Sequence, residues 1–296
     1  MSQRLSDRIF VIANFVFTLI LLLMVLYPII YIVSASISNP VAVNTGQMWL
    51  WPKEVTFEGY KRVFEDSEIW MGYRNTVIYT IVGTALHLAI LMPCAFALSR
   101  KDMWGRGAIL IFFLVTMFFS GGLIPTFLLI KGLGLMNSMW SIIVPNAIGI
   151  WAIIVTRTFF TMNIPHELQE AAEIDGCKQF GVFFRIALPL SGPIIAVMSL
   201  FHAVGLWNQY FAAMMYLSDR ELFPLQLILR EILILQEMNV SMMMNGDQLE
   251  TLAEQARIAD ILKYAVMIVS ALPLLIVYPF LQRFFVKGVL IGSLKG

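Results

Sequence analysis

The feature that most constrains this chain is a set of six stretches that hold no Asp, Glu, Lys or Arg: residues 9–33, 75–99, 107–130, 132–156, 186–218 and 264–282. Each reaches the roughly 18–20 residues that an α-helix needs to cross about 30 Å of hydrocarbon. None alternates apolar and polar residues with period two, which argues against a transmembrane barrel. Lipid offers no partner to backbone amides and carbonyls, so stretches of this length must satisfy them internally, as helices. The expectation is an all-α, polytopic membrane protein with six transmembrane helices.

Composition closes off other classes. With 59% hydrophobic and 13% charged residues, the chain lies far from a soluble domain, which carries roughly 45–50% apolar and about 25% charged residues. A water-soluble enzyme is excluded. Twenty Lys and Arg against nineteen Asp and Glu give a net charge of +1, so nothing electrostatic favours nucleic acid. The first stretch follows Arg4 and Arg8 and precedes Ser34-Ala35-Ser36, a loose match to a signal-peptide cleavage site. It outruns the roughly 7–15-residue apolar core of a signal peptide, so an uncleaved helix is expected, ending near Ser34 before the turn chemistry of Asn39-Pro40. Cys94, inside the second stretch, and Cys177, in a loop, are expected as free thiols.

Lys and Arg placement sets the orientation. With the N-terminus inside, the cytoplasmic pieces hold eleven basic and six acidic residues, and the outer pieces nine basic and thirteen acidic. The short loop from Arg100 through Lys101 to Arg106 is the most telling, because short loops obey the rule best. An even number of spans then returns the C-terminus to the cytoplasm. Leu222 to Leu235 is apolar but carries Arg230-Glu231 in its middle. Leu225, Ile228, Leu229 and Ile232 share a helical face, so an amphipathic helix begun at Pro224 is expected on the outer surface, within an outer element over 219–263.

The cytoplasmic loop over 163–190 is the most informative stretch. Pro165 stands near the first helical position, Glu167 and Glu170 lie toward the positive end of the dipole, and Gly176 supplies the stop. Leu168, Ala171 and Ala172 fall on one face, with Glu170 and Glu173 on the other. A second helical piece over 178–187 leads to Leu188-Pro189, where proline marks the passage into the fifth span. Two readings stand: a solvated helix that only connects two spans, or a contact helix whose alanines admit another protein's backbone while its carboxylates fix orientation.

Glu170-Ala171-Ala172, Gly176 after Asp175, Ile186 and Leu188-Pro189 reproduce, without gap or substitution, the EAA signature: EAA, three residues, G, nine residues, I-x-LP. The chain thereby resembles the permeases of binding-protein-dependent ABC importers, in which this loop is the coupling helix seated in a cleft of the ATP-hydrolysing subunit. The stretch FFSGGLIPTFLLIKGLGL from Phe118, RTFF at Arg157, WNQYFAA at Trp207 and PLQLILREIL at Pro224 extend the likeness to carbohydrate-uptake permeases. Within these it resembles most the branch for lipo-oligosaccharides and polysaccharide fragments, which includes an alginate importer. Cys177 departs from the small residue usual at its position.

The resemblance implies a type I ABC importer permease fold with both termini cytoplasmic, in the cell membrane. It divides the chain into an N-terminal helix and first outer loop (1–74), a permease core (75–283) and a cytoplasmic tail (284–296). It implies Glu170, Ala171, Ala172, Asp175, Gly176, Ile186, Leu188 and Pro189 as the ATPase-coupling residues. It also implies two ATP-binding cassette subunits (or a homodimer of one), a second homologous permease and an extracytoplasmic solute-binding protein, with an oligosaccharide as cargo. The chain has no Gly-x-x-x-x-Gly-Lys-Ser/Thr loop to cradle phosphates, so ATP and Mg would belong to the partner ATPases.

A sugar path needs hydroxyl-matching polar groups beside flat apolar faces. The fifth span offers His202, Trp207, Asn208, Gln209 and Tyr210, of which Trp207, Asn208, Tyr210 and His202 are the substrate-path candidates; the competing reading is hydrogen bonding between helices. His87 is expected to pair helices. Gly121-Gly122 before Pro125, and Pro273 with Pro279, would interrupt the third and sixth spans, as ordinary kinks or as gating points. The alternative function is a self-sufficient secondary carrier or channel for a small polar solute. Such a carrier is expected to hold intramembrane Asp or Glu, and none of the six stretches contains one.

Overall fold

The computed structural model describes residues 5–242, 262–276 and 278–279, and every regular element among them is helical. The chain divides into two compact units, Met1–Ile69 with Leu229–Pro273, and Trp70–Ile228 with Leu274–Gly296. The expectations for residues 243–261 and for the tail 284–296 lie outside the described residues.

In the first unit, α1 (Leu5–Ser36) runs unbroken through Pro28, and none of its central apolar window is buried. A helix apolar on every side and packed on none suits lipid or another chain. Its end is pinned by polar groups: Ser34 donates to the Leu50 carbonyl at 2.6 Å and the Ser36 hydroxyl meets Tyr60 Oη at 2.8 Å. Asn39 then caps α2 (Pro40–Asn44), its side chain accepting from the Val41 amide. Ala35, Val43 and Met48 form a small core with Tyr31 and Tyr264 against it. A short amphipathic helix, α3 (Glu58–Glu65), carries an Arg62–Glu58 ion pair across one turn.

The second unit is built on α4 (Ser67–Ser99), which starts eight residues before the uncharged stretch and belongs to this unit from Trp70 onward. Three further stretches form helix pairs bent at a break: α5 (Arg106–Phe118) with α6 (Leu123–Gly132) at 113°, and α7 (Trp140–Asn146) with α8 (Ile150–Asn163) at 48°. The third pair is bent by 77° between the segment Gln179–Leu190 and α12 (Gly192–Trp207). The first break falls where Gly121-Gly122 foretold one: Gly122 has φ 86° and ψ −178°, a conformation open almost only to glycine. Pro125 follows in the first turn of α6, where a missing amide costs nothing.

Among the described residues, two helices are long and apolar enough to cross a membrane singly, and up to five spans result if each bent pair is one span. The apolar helix Leu262–Ile276 covers most of the described part of the sixth stretch. The main core of the second unit gathers Leu91, Met92, Ala95, Phe96 and Leu98 of α4 with Ile153 and Phe160 of α8 and Ile194 and Met198 of α12. These bulky side chains recur along α4 at helical spacing, so one face of a single rod organises the packing of its neighbours.

Candidate functional site

The EAA signature folds as α9 (His166–Ile174), α10 (Gln179–Val182), a π-helical turn (Phe183–Ala187) and α11 (Leu188–Leu190). Pro165 is the residue before α9 rather than its first, and Asp175 is its C-cap. Gly176 at φ 83° ends the helix in a Schellman turn: its amide donates to the Glu173 carbonyl and the Cys177 amide to the Ala172 carbonyl, at 3.0 and 2.9 Å. A Cβ on Gly176 would meet nothing within 4 Å, so the glycine is there for its backbone alone.

The signature divides by burial. Ala172 is 7% exposed and sits in the main core, where Cys177, Ile186 and Leu188 pack against the same cluster and Ala187 is fully buried. Glu170, Ala171, Asp175, Gly176 and Pro189 face outward. The face that periodicity assigned to Leu168, Ala171 and Ala172 is therefore split: Gln169 and Ala172 turn inward, while Leu168 and Ala171 are exposed. The inward direction is fixed by where α4 and α8 lie, which spacing along one helix does not contain.

Glu173, placed by the sequence beside Glu170 on the face opposite Ala172, accepts from Arg100 Nη2 at 2.8 Å, and Asp102 takes Nε and Nη2 of the same guanidinium at 2.9 and 2.8 Å. Arg100 is 9% exposed, and its remaining Nη1 has no partner among the described residues. The hydrogen bond to Asp102, with that to Glu173 adding to it against the cost of burial, pushes the guanidinium further above its already high range. The cation is permanent. Around it, Arg157 Nε donates to the Leu98 carbonyl at 3.0 Å and Arg106 Nη1 to the Arg100 carbonyl at 3.2 Å, so cations gather at the negative end of α4. Beside this cluster Pro93, Phe96, Phe180 and Phe183 line an apolar cleft of about 240 Å³. Sequence reasoning counted Arg100 only as an orienting charge; its place directly after the second span was the available signal.

The substrate-path candidates do not converge. Trp207 is 5% exposed and meets Tyr73 edge to face at 6.1 Å. Asn208 ends α12, its side chain donating to the Val204 carbonyl at 2.9 Å, and Tyr210 is exposed beside Phe211, which opens α13 (Phe211–Tyr216). His202 stacks on His87 with centroids 4.0 Å apart and planes 4° from parallel. His87 Nδ1 donates to the Ala147 carbonyl at 2.9 Å, which makes it the helix-pairing residue expected of it. His202, Gln209 and Asn146 line a cavity of about 180 Å³ with Phe201, Gly205 and Leu206. Asn146 was missed, since one amide in an apolar stretch carries no signal. His202 Nε2, Thr80 Oγ1 and Thr84 Oγ1 are buried without a protein partner among the described residues, and such atoms call for water or a ligand.

A loop carrying the EAA signature, clasped to the end of a long apolar helix on a helical scaffold of bent apolar pairs, is the architecture of a membrane transport subunit. The chain belongs to the family of binding-protein-dependent transport system inner membrane components, whose model matches residues 69–291. It is a permease subunit of an ABC importer and is not itself an enzyme. It is 38% identical to Protein LplC of Bacillus subtilis over 298 residues, covering 100% of this chain and 98% of the relative. It is 39% identical over 292 residues to the polygalacturonan/rhamnogalacturonan transport system permease protein YtcP of the same organism, covering 99% and 100%. Among solved structures, a chain from the crystal structure of a bacterial ABC transporter involved in the import of the acidic polysaccharide alginate superimposes with a TM-score of 0.83 at 34% identity, covering 96% of this chain and 99% of that one.

Proposed function

We propose that the chain is one of two homologous permeases of a complex that imports oligosaccharides, acidic polysaccharide fragments foremost, across the cell membrane. Six spans with cytoplasmic termini place the loop over 163–190 inside and the element over 219–263 outside, where it meets the solute-binding protein. The bent pairs count as one span each, and the sixth span begins in the helix Leu262–Ile276. The core extends over 75–283, between an N-terminal helix and outer loop (1–74) and a tail (284–296). ATP and Mg are held by the partner ATPases. The preference for acidic fragments is taken from the relatives named for polygalacturonan and alginate; His202, Gln209 and Asn146 supply neutral hydrogen-bonding groups for a glycan, with Trp207, Asn208 and Tyr210 as further path candidates.

The observation that carries this reading is the split of the signature. Ala172, Ile186 and Leu188 anchor the loop to the main core, while Glu170, Ala171 and Asp175 stand outward. An anchored helix with a small exposed residue between carboxylates is shaped to receive another protein's surface and to pass its push into the spans. Cysteine cross-linking tests it: in a background with Cys94 and Cys177 replaced by Ser, Ala171→Cys should cross-link to single cysteines on the cassette subunit's cleft, and the yield should change with bound nucleotide. Cross-linking no greater than that of a cysteine at an outer position would contradict the coupling role.

A further inference from the structure

The end of α4 far from α9 carries an unusual fastening. Asn75 Nδ2 donates to the carbonyls of Glu221 and Phe223 at 2.7 and 3.0 Å, and Tyr79 Oη to the Leu222 carbonyl at 2.7 Å. Thr76 Oγ1 accepts from the Leu225 amide at 2.8 Å. Leu225 opens α14 (Leu225–Met242), so a side chain of another helix caps one of the amides that a helix start leaves unpaired. The carbonyls of 221–223 belong to a 3₁₀ turn (Arg220–Leu222) and its exit, and have no helix to satisfy them. Asn75, Thr76 and Tyr79 are 4%, 1% and 4% exposed, so water does not compete for these bonds. Gly72 completes the contact: a Cβ there would lie 3.0 Å from Leu225 Cα and 2.6 Å from Ile228 Cδ1.

At the opposite end, Arg100 holds Glu173 of α9. Between the two fastenings α4 is one continuous helix, with Asn75 and Ser99 roughly 36 Å apart along its axis at about 1.5 Å per residue. Leu91, Met92 and Ala95 bury its lower half in the main core. A packed helix transmits displacement as a rod, because its ladder and its close-packed surroundings resist bending.

We propose that α4 is the strut through which the outer element and the coupling loop sense one another, with Asn75, Thr76 and Tyr79 as positioning residues at one end and Arg100 at the other. This rests on the reading above that 219–263 meets the binding protein and 163–190 the ATPase. Docking outside shifts residues 221–225, the latch moves α4 with them, and Arg100 carries the shift into α9.

The test uses the assembled complex in proteoliposomes with its loaded binding protein. Tyr79→Phe removes one hydroxyl and keeps the ring in its cluster; Asn75→Ala/Tyr79→Phe opens most of the latch; Arg100→Gln opens the clasp. The latch variants should assemble and hydrolyse ATP at the parent's unstimulated rate, but the stimulation by loaded binding protein should fall by about fivefold or more in the double variant. Since a strut acts in series, combining latch and clasp changes should lose no more than the worse of the two. Stimulation at the parent level in Tyr79→Phe and Arg100→Gln, or losses that multiply, would overturn the strut. A parent complex that no loaded binding protein stimulates would instead overturn the importer reading on which the strut rests.

Discussion

At the scale of single residues, Ala171 and Ala172 should part company. Ala172→Leu forces three extra carbons into a packed core and is expected to cost about 1–3 kcal/mol, read as a lower unfolding temperature in detergent. Ala171→Leu is exposed and should leave stability within about 0.5 kcal/mol while weakening ATPase association. Gly176→Ala meets no neighbour, so its cost is that of a left-handed backbone alone, about 1–2 kcal/mol on the end of α9, and Gly176→Asn should recover part of it. Arg100→Gln should destabilise more than Glu173→Gln: it unties both Asp102 and Glu173, although their half-exposed carboxylates regain water and keep the difference to about 1 kcal/mol. Thermal unfolding of the purified variants ranks them.

At the scale of elements, order along the chain is enough to place features that rest on a local backbone demand. The helix ended by Gly176, the break at Gly121-Gly122 and the start of α14 directly after Pro224 are each written in such a demand, which neighbours do not alter. Leu225, Ile228 and Leu229 of α14 are buried as their periodicity led one to expect, with Leu227 buried beside them. The latch of Asn75, Thr76 and Tyr79 on Glu221 to Leu225 was not, because its partners lie about 150 residues apart in the chain and polar side chains in an apolar stretch fit many pairings equally. Glu173 does lie on the exposed face that periodicity gave it, but its partner was not legible for a related reason: Arg100 reaches it from the end of a different helix. The bend between α5 and α6 makes an element-level prediction. Gly122→Ala should cost about 1–3 kcal/mol, since nothing but the backbone conformation opposes the new methyl group. A drop in unfolding temperature of the detergent-solubilised subunit checks it.

At the scale of the whole molecule, the charges that are absent from the six stretches return in two roles. The cations of Arg100, Arg106 and Arg157 close the end of α4, and the carboxylates of α9 stand at the surface beside them, apart from Glu173, which is spent on the clasp. A chain built this way packs its EAA-signature loop against its longest helix and leaves its polar cavity without fixed charge, with His202, Gln209 and Asn146 as hydrogen-bonding groups. The measurement that reaches the centre of this arrangement is the ATPase rate of the assembled complex, with binding protein loaded from a panel of acidic and neutral oligosaccharides. The expected result is a rate that rises several-fold with acidic fragments and that Glu170→Ala or Gly176→Pro renders insensitive to them. An unchanged response in the Gly176→Pro complex, or uptake by this chain alone in liposomes, would contradict it.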